Sequence, residues 1–305
     1  MESDAPRYDT LLVLGSTLGQ WGTQSWHPRL IPDGPLIQVD INQGAIARCF
    51  PVSLGVVADV GRFIDDLAAL GEQRAADSGL VAARRAALER LKTETSPFLD
   101  PDARESTRAP ILPQALMKCV SESLPPGSHV FIDAGNCVGW SLHHLTLEPP
   151  TQYHIGLTMA PMGFGVCAVI GGKIGAPHRT CLAIVGDGAF LMHGAEVSTA
   201  AQYGVGAIWV ILADDDMAMV SQGMNYLHPQ TSGWPEAYRL GRADIVQFAA
   251  ALGADTYPVR TVDEAREALR QAQERAASQR KPQVIVASID RSEMPPYYPV
   301  QTPKP

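Results

Sequence analysis

Apolar residues along this chain gather in short unbroken runs that stop at a glycine or an acid, with longer mixed stretches between them. Residues 10–15 (Thr-Leu-Leu-Val-Leu-Gly) form the first run. A run without polar alternation suits a strand buried on both faces, as in a parallel sheet. A second, Leu36-Ile37-Gln38-Val39-Asp40, ends in a polar residue. Residues 60–92 are rich in Ala, Leu, Glu and Arg and predict helix. The first 95 residues therefore predict an α/β unit, with too few strands for a complete doubly wound sheet.

Residues 93–110 carry three prolines among mostly polar residues, and 96–110 are predicted to be a linker. A second alternation follows. It predicts helix over 113–124, a strand at Val130–Asp133, a Gly/Ala-rich helix over 163–175 and a strand at Cys181–Val185. A helix to Tyr203, a strand at Ala207–Leu212, helices near 244–253 and 262–278, and a strand at Gln283–Ala287 complete it. Strands alternating with helices give a parallel sheet with ligand groups at the strand C-termini. The domains predicted are 1–95, 111–292, and a Pro-rich extended tail over 293–305.

With 46% hydrophobic and 18% charged residues the chain has ample material for a core, unlike a disordered sequence. A net charge of −8 without a Lys/Arg run excludes nucleic acid and anionic membrane as expected partners. The five cysteines are scattered, without a C-x-x-C pair, and predict reduced thiols in a cytoplasmic protein. The charged N-terminus has no signal-like apolar core, and no apolar stretch reaches the ~18 residues of a membrane span.

The chemistry concentrates in two strand ends. Val185-Gly186-Asp187-Gly188-Ala189-Phe190 delivers an acid on a glycine-flanked turn that opens into a helix, and Leu212-Ala213-Asp214-Asp215-Asp216 delivers more acids one strand later. Glycines let a backbone approach a phosphate, and a helix N-terminus offers free N–H donors. A carboxylate beside a phosphate repels it unless a cation lies between, and Mg²⁺ is commonly held by one or two carboxylates with phosphate oxygens and water. Gly-Asp-Gly alone is an ordinary strand-end turn. Its pairing with Asp214, one strand–helix–strand crossover later, is what suggests a metal–diphosphate site.

This segment resembles the motif of thiamine-diphosphate enzymes, in which Gly-Asp-Gly precedes an asparagine pair by one crossover. The likeness extends to Ala160-Pro161-Met162-Gly163-Phe164-Gly165, Glu196-Val197-Ser198-Thr199-Ala200 and Met219-Val220. Nearly the whole chain resembles the second half of acetolactate synthase-like enzymes. The fold this implies is a parallel-sheet diphosphate-binding domain preceded by half of a Rossmann-like helper domain. The resemblance implies thiamine diphosphate and Mg²⁺ as cofactors. Asp187 and Asp214 would be metal ligands, Asp216 would give a backbone carbonyl, and Gly186, Gly188, Ala189 and Met217 would border the cofactor. Met162 stands where a bulky apolar residue wedges the cofactor into a bent shape. Gly135, Asn136 and Cys137 belong to a second loop that touches the diphosphate, where related synthases often carry Gln and His.

Two departures from the family pattern stand out. Asp214 replaces the usual asparagine and adds charge; Asp215 and Asp216 beside it are expected to point to solvent. Val220 stands where decarboxylases of the family tend to place a glutamate, which favours carboligation after decarboxylation of a small 2-keto acid over simple decarboxylation to an aldehyde. His193 is expected to be a surface or core residue. The stretch Val13–Trp21 has G-x-x-x-G, not the dinucleotide fingerprint, so neither a flavin nor a nicotinamide enzyme is expected. The family's glutamate for the cofactor's aminopyrimidine lies on a pyrimidine-binding domain that these residues do not contain, so no catalytic residue is assigned in this chain. The expectation is a split enzyme whose second subunit carries that domain, assembled as an α2β2 heterotetramer. A non-catalytic cofactor-binding or regulatory subunit is the alternative outside the enzymes.

Overall fold

Short apolar runs pair into two separate parallel sheets. The computed structural model describes residues 8–20, 22–23, 26–73, 77–229, 234–241 and 243–296. Two compact units meet in sequence between Thr95 and Ser96. In the first, β1 (Leu11–Leu14), β2 (Leu36–Asp40) and β3 (Leu54–Val57) lie parallel in the order β1-β2-β3. β3 escapes the sequence pattern because a glycine interrupts its apolar run; a Cβ at Gly55 would lie 2.5 Å from the Ile46 side chain. Val13, Leu36 and Phe50 form a small core with Leu11, Leu18, Cys49 and Val52.

The helix predicted across 60–92 is two helices, α1 (Val60–Glu72) and α2 (Ser78–Glu94). Each has its own aspartate cap: Asp59 accepts from the Arg62 N–H, and Asp77 from the N–H groups of Gly79 and Leu80. Neither helix buries a residue. Leu12, Leu14, Leu54 and Val57 are exposed on the strands. Trp21 and residues 297–305 of the predicted tail lie outside the described residues.

The second unit begins with α3 (Pro113–Ser123), β4 (His129–Ile132), α4 (Asn136–His144), β5 (Gln152–Ile155), α5 (Phe164–Gly175) and β6 (Cys181–Gly186). Next come α6 (Asp187–His193), α7 (Glu196–Gln202), β7 (Ile208–Ala213), α8 (Ala218–Leu227), α9 (Trp234–Ala237) and α10 (Ile245–Ala251). The unit closes with β8 (Asp255–Val259), α11 (Val262–Gln279) and β9 (Gln283–Ser288). Its six strands are all parallel, in the order β5-β4-β6-β7-β9-β8. Successive residues serve opposite faces: Ile132, Ile184 and Val210 join the core under α3, α4 and α11, while Phe131, Val185 and Ile211 join the one under α5 and α10. Burial on both faces is why these strands read as unbroken apolar runs.

Two expectations change here. The single helix to Tyr203 breaks at Gly194, where a Cβ would lie 2.5 Å from the Phe190 carbonyl oxygen and 2.8 Å from the Phe248 ring. Residues 96–110 do not hang free as a linker. The Leu99 N–H donates to His143 Nε2 at 2.7 Å, the Arg104 guanidinium lies 3.7 Å from the Phe98 ring centroid, and Arg104 donates to the His144 carbonyl. An aromatic ring and a cation stacked on it give this polar, proline-rich stretch something to pack with.

The strand order also locates the site. From β4 the chain passes to β5 on one side, then returns to β6 on the other. Consequently α4, after β4, and α6, after β6, pack on opposite faces. A crevice opens outside the carboxyl ends of two such strands, the usual ligand position in open parallel sheets. Among the described residues no helix is long and apolar enough to cross a membrane.

Candidate functional site

Asp187 stands at the β6 end of that crevice and is buried. One carboxylate oxygen accepts from the Gly188 N–H (2.8 Å), the other from those of Asp214 (3.0 Å) and Asp215 (2.8 Å). It thereby ties the turn after β7 to the turn after β6. Asp215 takes φ +58, a left-handed conformation that aspartate tolerates better than most residues. Its side chain is exposed, as expected. The Asp216 side chain is not turned out as the sequence suggested. Oδ2 accepts from Ser221 Oγ at 2.7 Å, and Oδ1 is buried without a partner. A serine five residues on, in the first turn of α8, draws it inward.

Burial pushes the Asp187 carboxyl up to about 6. Burial, and then the charge on Asp187, pushes Asp214 up to about 8. Two acids so close cannot both ionise without cost, and a cation between them would remove it. Among the described residues no three His, Cys, Asp or Glu side chains converge as a self-sufficient metal cage. The donor set is the two carboxylates of Asp187 and Asp214. Hard oxygens needing further oxygens from a ligand fit Mg²⁺ better than a soft metal.

Beside the acids, Met162 and Met217 meet over Gly188. A Cβ built on Gly188 would lie 2.6 Å from Met217 Sδ, 3.5 Å from Met162 Cε and 3.8 Å from Leu240 Cδ1. Ala189 buries its methyl in the core, so only its backbone remains for a ligand; at Gly186 a Cβ would meet nothing within 4 Å. We expect Gly188→Ala to weaken diphosphate binding at least tenfold, about 1.4 kcal/mol, because the methyl fills the approach to the backbone. Stability should change by less than about 1 kcal/mol, since the nearest atom belongs to a flexible methionine. Calorimetric titration beside a urea melt reads both.

Across the crevice, Asp133 is the residue that sequence reasoning undervalued. It is fully buried. Its oxygens accept from the N–H groups of Ala134 (2.8 Å), Gly163 (2.8 Å), Gly165 (2.8 Å) and Val166 (3.3 Å). Burial raises its pKa although these bonds oppose the shift. Asp133 thus clamps the Met162–Gly163 segment and the start of α5 to the end of β4. The signal available in the sequence was an acid ending a strand, before a glycine turn, with a second glycine-rich segment 30 residues on.

Gly135 opens α4 with φ +118 and open space where a Cβ would be. The side chains after it are engaged within the chain. Cys137 is buried, its thiol pushed up by burial and donating to the Asp133 carbonyl at 2.9 Å. The thiol is thus engaged with the main chain at the end of β4. Asn136 spends its Nδ2 on Gln222 Oε1 at 2.9 Å. His193 is exposed, its ring lying against Gly163, where a Cβ would fall 1.9 Å from Cδ2. Val220 is exposed on α8.

The crevice, its two acidic strand ends and the Asp133 clamp all fall within one sequence family. The family described as "Thiamine pyrophosphate enzyme, C-terminal TPP binding domain" matches residues 133–287, half of the chain. The chain belongs to the thiamine pyrophosphate enzymes. It is 29% identical over 285 residues to a Mycobacterium tuberculosis protein provisionally named acetolactate synthase large subunit IlvB2, covering 92% of this chain and 48% of that one. It is 24% identical over 300 residues to a sulfoacetaldehyde acetyltransferase of Castellaniella defragrans, covering 91% and 49%. Among solved structures, a thiamine diphosphate-dependent 4-hydroxybenzoylformate decarboxylase of Rhodococcus jostii RHA1 superposes with TM-score 0.71 at 20% identity, covering 92% of this chain and 49% of that chain. The chain thus spans about half the length of these relatives, and it is a thiamine pyrophosphate enzyme chain related to acetolactate synthases.

Proposed function

We propose that this chain supplies the metal- and diphosphate-binding half of a thiamine-diphosphate active site that decarboxylates a small 2-keto acid and joins the product to a second carbonyl compound. The observation that carries this reading is the pair of acids at adjacent strand ends, with Asp187 buried and accepting from the Asp214 N–H. Bound thiamine diphosphate supplies the carbanion chemistry. The chain's own residues hold and shape the site. Asp187 and Asp214 offer carboxylate oxygens to Mg²⁺, and Asp216 offers its carbonyl. Gly186, Gly188, Ala189 and the Gly135–Cys137 turn present backbone to the diphosphate. Met162 serves as the wedge under the thiazolium, held in place through Asp133, and Met217 borders it. The exposed, apolar Val220 favours carboligation over release of an aldehyde.

Completion of the site falls to a second chain carrying the pyrimidine-binding domain, its glutamate and the first half of the helper domain, in an α2β2 assembly with the closed symmetry common to oligomers. Supporting this are the apolar residues that the three-stranded sheet leaves exposed, which parallel sheets normally cover. The test is turnover of pyruvate-like 2-keto acids with thiamine diphosphate and Mg²⁺, with and without an aldehyde acceptor. The chain alone should be inactive and should gain activity with the partner. Robust turnover by this chain alone would overturn the division of labour, aldehyde as the only product would favour the decarboxylase reading, and no turnover with any partner would favour a non-catalytic subunit.

A further inference from the structure

Three hydrogen bonds meet on one side chain beside the candidate site. Gln222, on α8, accepts from Asn136 Nδ2 at 2.9 Å through Oε1. Its Nε2 donates to the carbonyls of Glu293 (2.9 Å) and Arg291 (3.3 Å). An amide has its acceptor on one arm and its donors on the other. Two carbonyls on the same side therefore fix which way Gln222 points. With Oε1 committed toward Asn136, that residue must present its Nδ2, and its own Oδ1 is left buried and unpartnered. The orientation of an amide at the Gly135–Asn136 turn is thus set by backbone carbonyls more than 150 residues later in sequence.

Those carbonyls lie on a strap that leaves β9 and is fastened independently. The Asp290 N–H donates to the Ile111 carbonyl at 2.9 Å, and the Asp290 carboxylate lies 3.6 Å from the Arg108 guanidinium. Glu293 accepts from the Nε2 of buried Gln114 at 2.9 Å. Gln222 is the one side chain that touches both the strap and Asn136 among the described hydrogen bonds. A buried acceptor without a partner is uncommon enough to need a reason, and here the strap supplies one.

We propose that Gln222 is a positioning residue that couples the Asp290–Glu293 strap to the Gly135–Asn136 turn, so that the turn keeps its geometry toward the diphosphate only while the strap is seated. The coupling itself is a property of the chain; its consequence for the cofactor rests on the function proposed above.

Amide hydrogen exchange on the full chain tests it. Gln222→Leu removes all three bonds. Gln222→Glu keeps an oxygen for Asn136 but sets a second oxygen against the two strap carbonyls. Both variants should speed exchange at least tenfold in residues 289–294 and in residues 134–140, with β8 unchanged. Faster exchange in the strap alone, in the Gln222→Glu variant, would overturn the coupling, because Asn136 would then be indifferent to the strap. Unchanged exchange at both segments in Gln222→Leu would overturn it as well. Thiamine diphosphate with Mg²⁺, added to the unsubstituted chain, should slow exchange at the turn and the strap together. Absence of protection at both, with the coupling intact in the cofactor-free chain, would refute the cofactor reading and leave the coupling standing.

Discussion

Asp187→Ala should abolish Mg²⁺-dependent binding of thiamine diphosphate, a loss of at least ~100-fold, because under the proposed function it removes a carboxylate that holds the metal. The effect on folding is a balance. The substitution leaves the N–H groups of Gly188, Asp214 and Asp215 without their acceptor, at about 1–3 kcal/mol for each one that water cannot reach. It also removes one of two repelling acids, which offsets part of that cost. Asp214→Asn separates the two effects, since an amide oxygen can still accept from the Asp216 N–H while one charge is lost. That variant should keep Mg²⁺-dependent binding. Titrations of both variants at saturating Mg²⁺, each beside a thermal melt, give the answer; affinity in Asp187→Ala equal to that of the unsubstituted chain would rule out the metal assignment.

Asp133→Ala should be the most destabilising single change at the site, costing about 3–5 kcal/mol. The residue is fully buried and its carboxylate serves four backbone N–H groups on two separate segments. Removing it strands donors at the start of α5 and frees the Met162 loop from β4. Urea unfolding followed by far-UV circular dichroism should show the midpoint fall with little change in slope. An unchanged midpoint would mean that water or a neighbour satisfies those N–H groups, and that the clamp does not hold the loop.

Much of this was legible in the sequence because the second unit's strands are buried on both faces. Val130, Cys181–Val185, Ala207–Leu212 and Gln283–Ala287 read as strands, and the structure has strands there. β5 and β8 read poorly: they are the sheet's edges, and Gln152, His154, Asp255 and Pro258 break the apolar run. Helix breaks at Gly194 and before Asp77 depend on what a glycine packs against and on a cap, neither of which composition reveals. At the candidate site, spacing alone brought Asp187 and Asp214 together, because one crossover joins neighbouring strands. The inward turn of Asp216, the Asp133 clamp and the Gln222 bridge were not legible. The clamp and the bridge depend on hydrogen bonds between segments that only the fold makes neighbours, and the turn of Asp216 on which of several nearby polar groups its carboxylate chooses.

Under the proposed function, this chain grips thiamine diphosphate through a divalent cation at its two acidic strand ends. Calorimetric titration of thiamine diphosphate into the purified chain, once with Mg²⁺ and once with a chelator, tests it most directly. Saturable binding of one cofactor per chain is expected in Mg²⁺, and none with the chelator. Binding of equal affinity in the two titrations, or no binding in either, would contradict it.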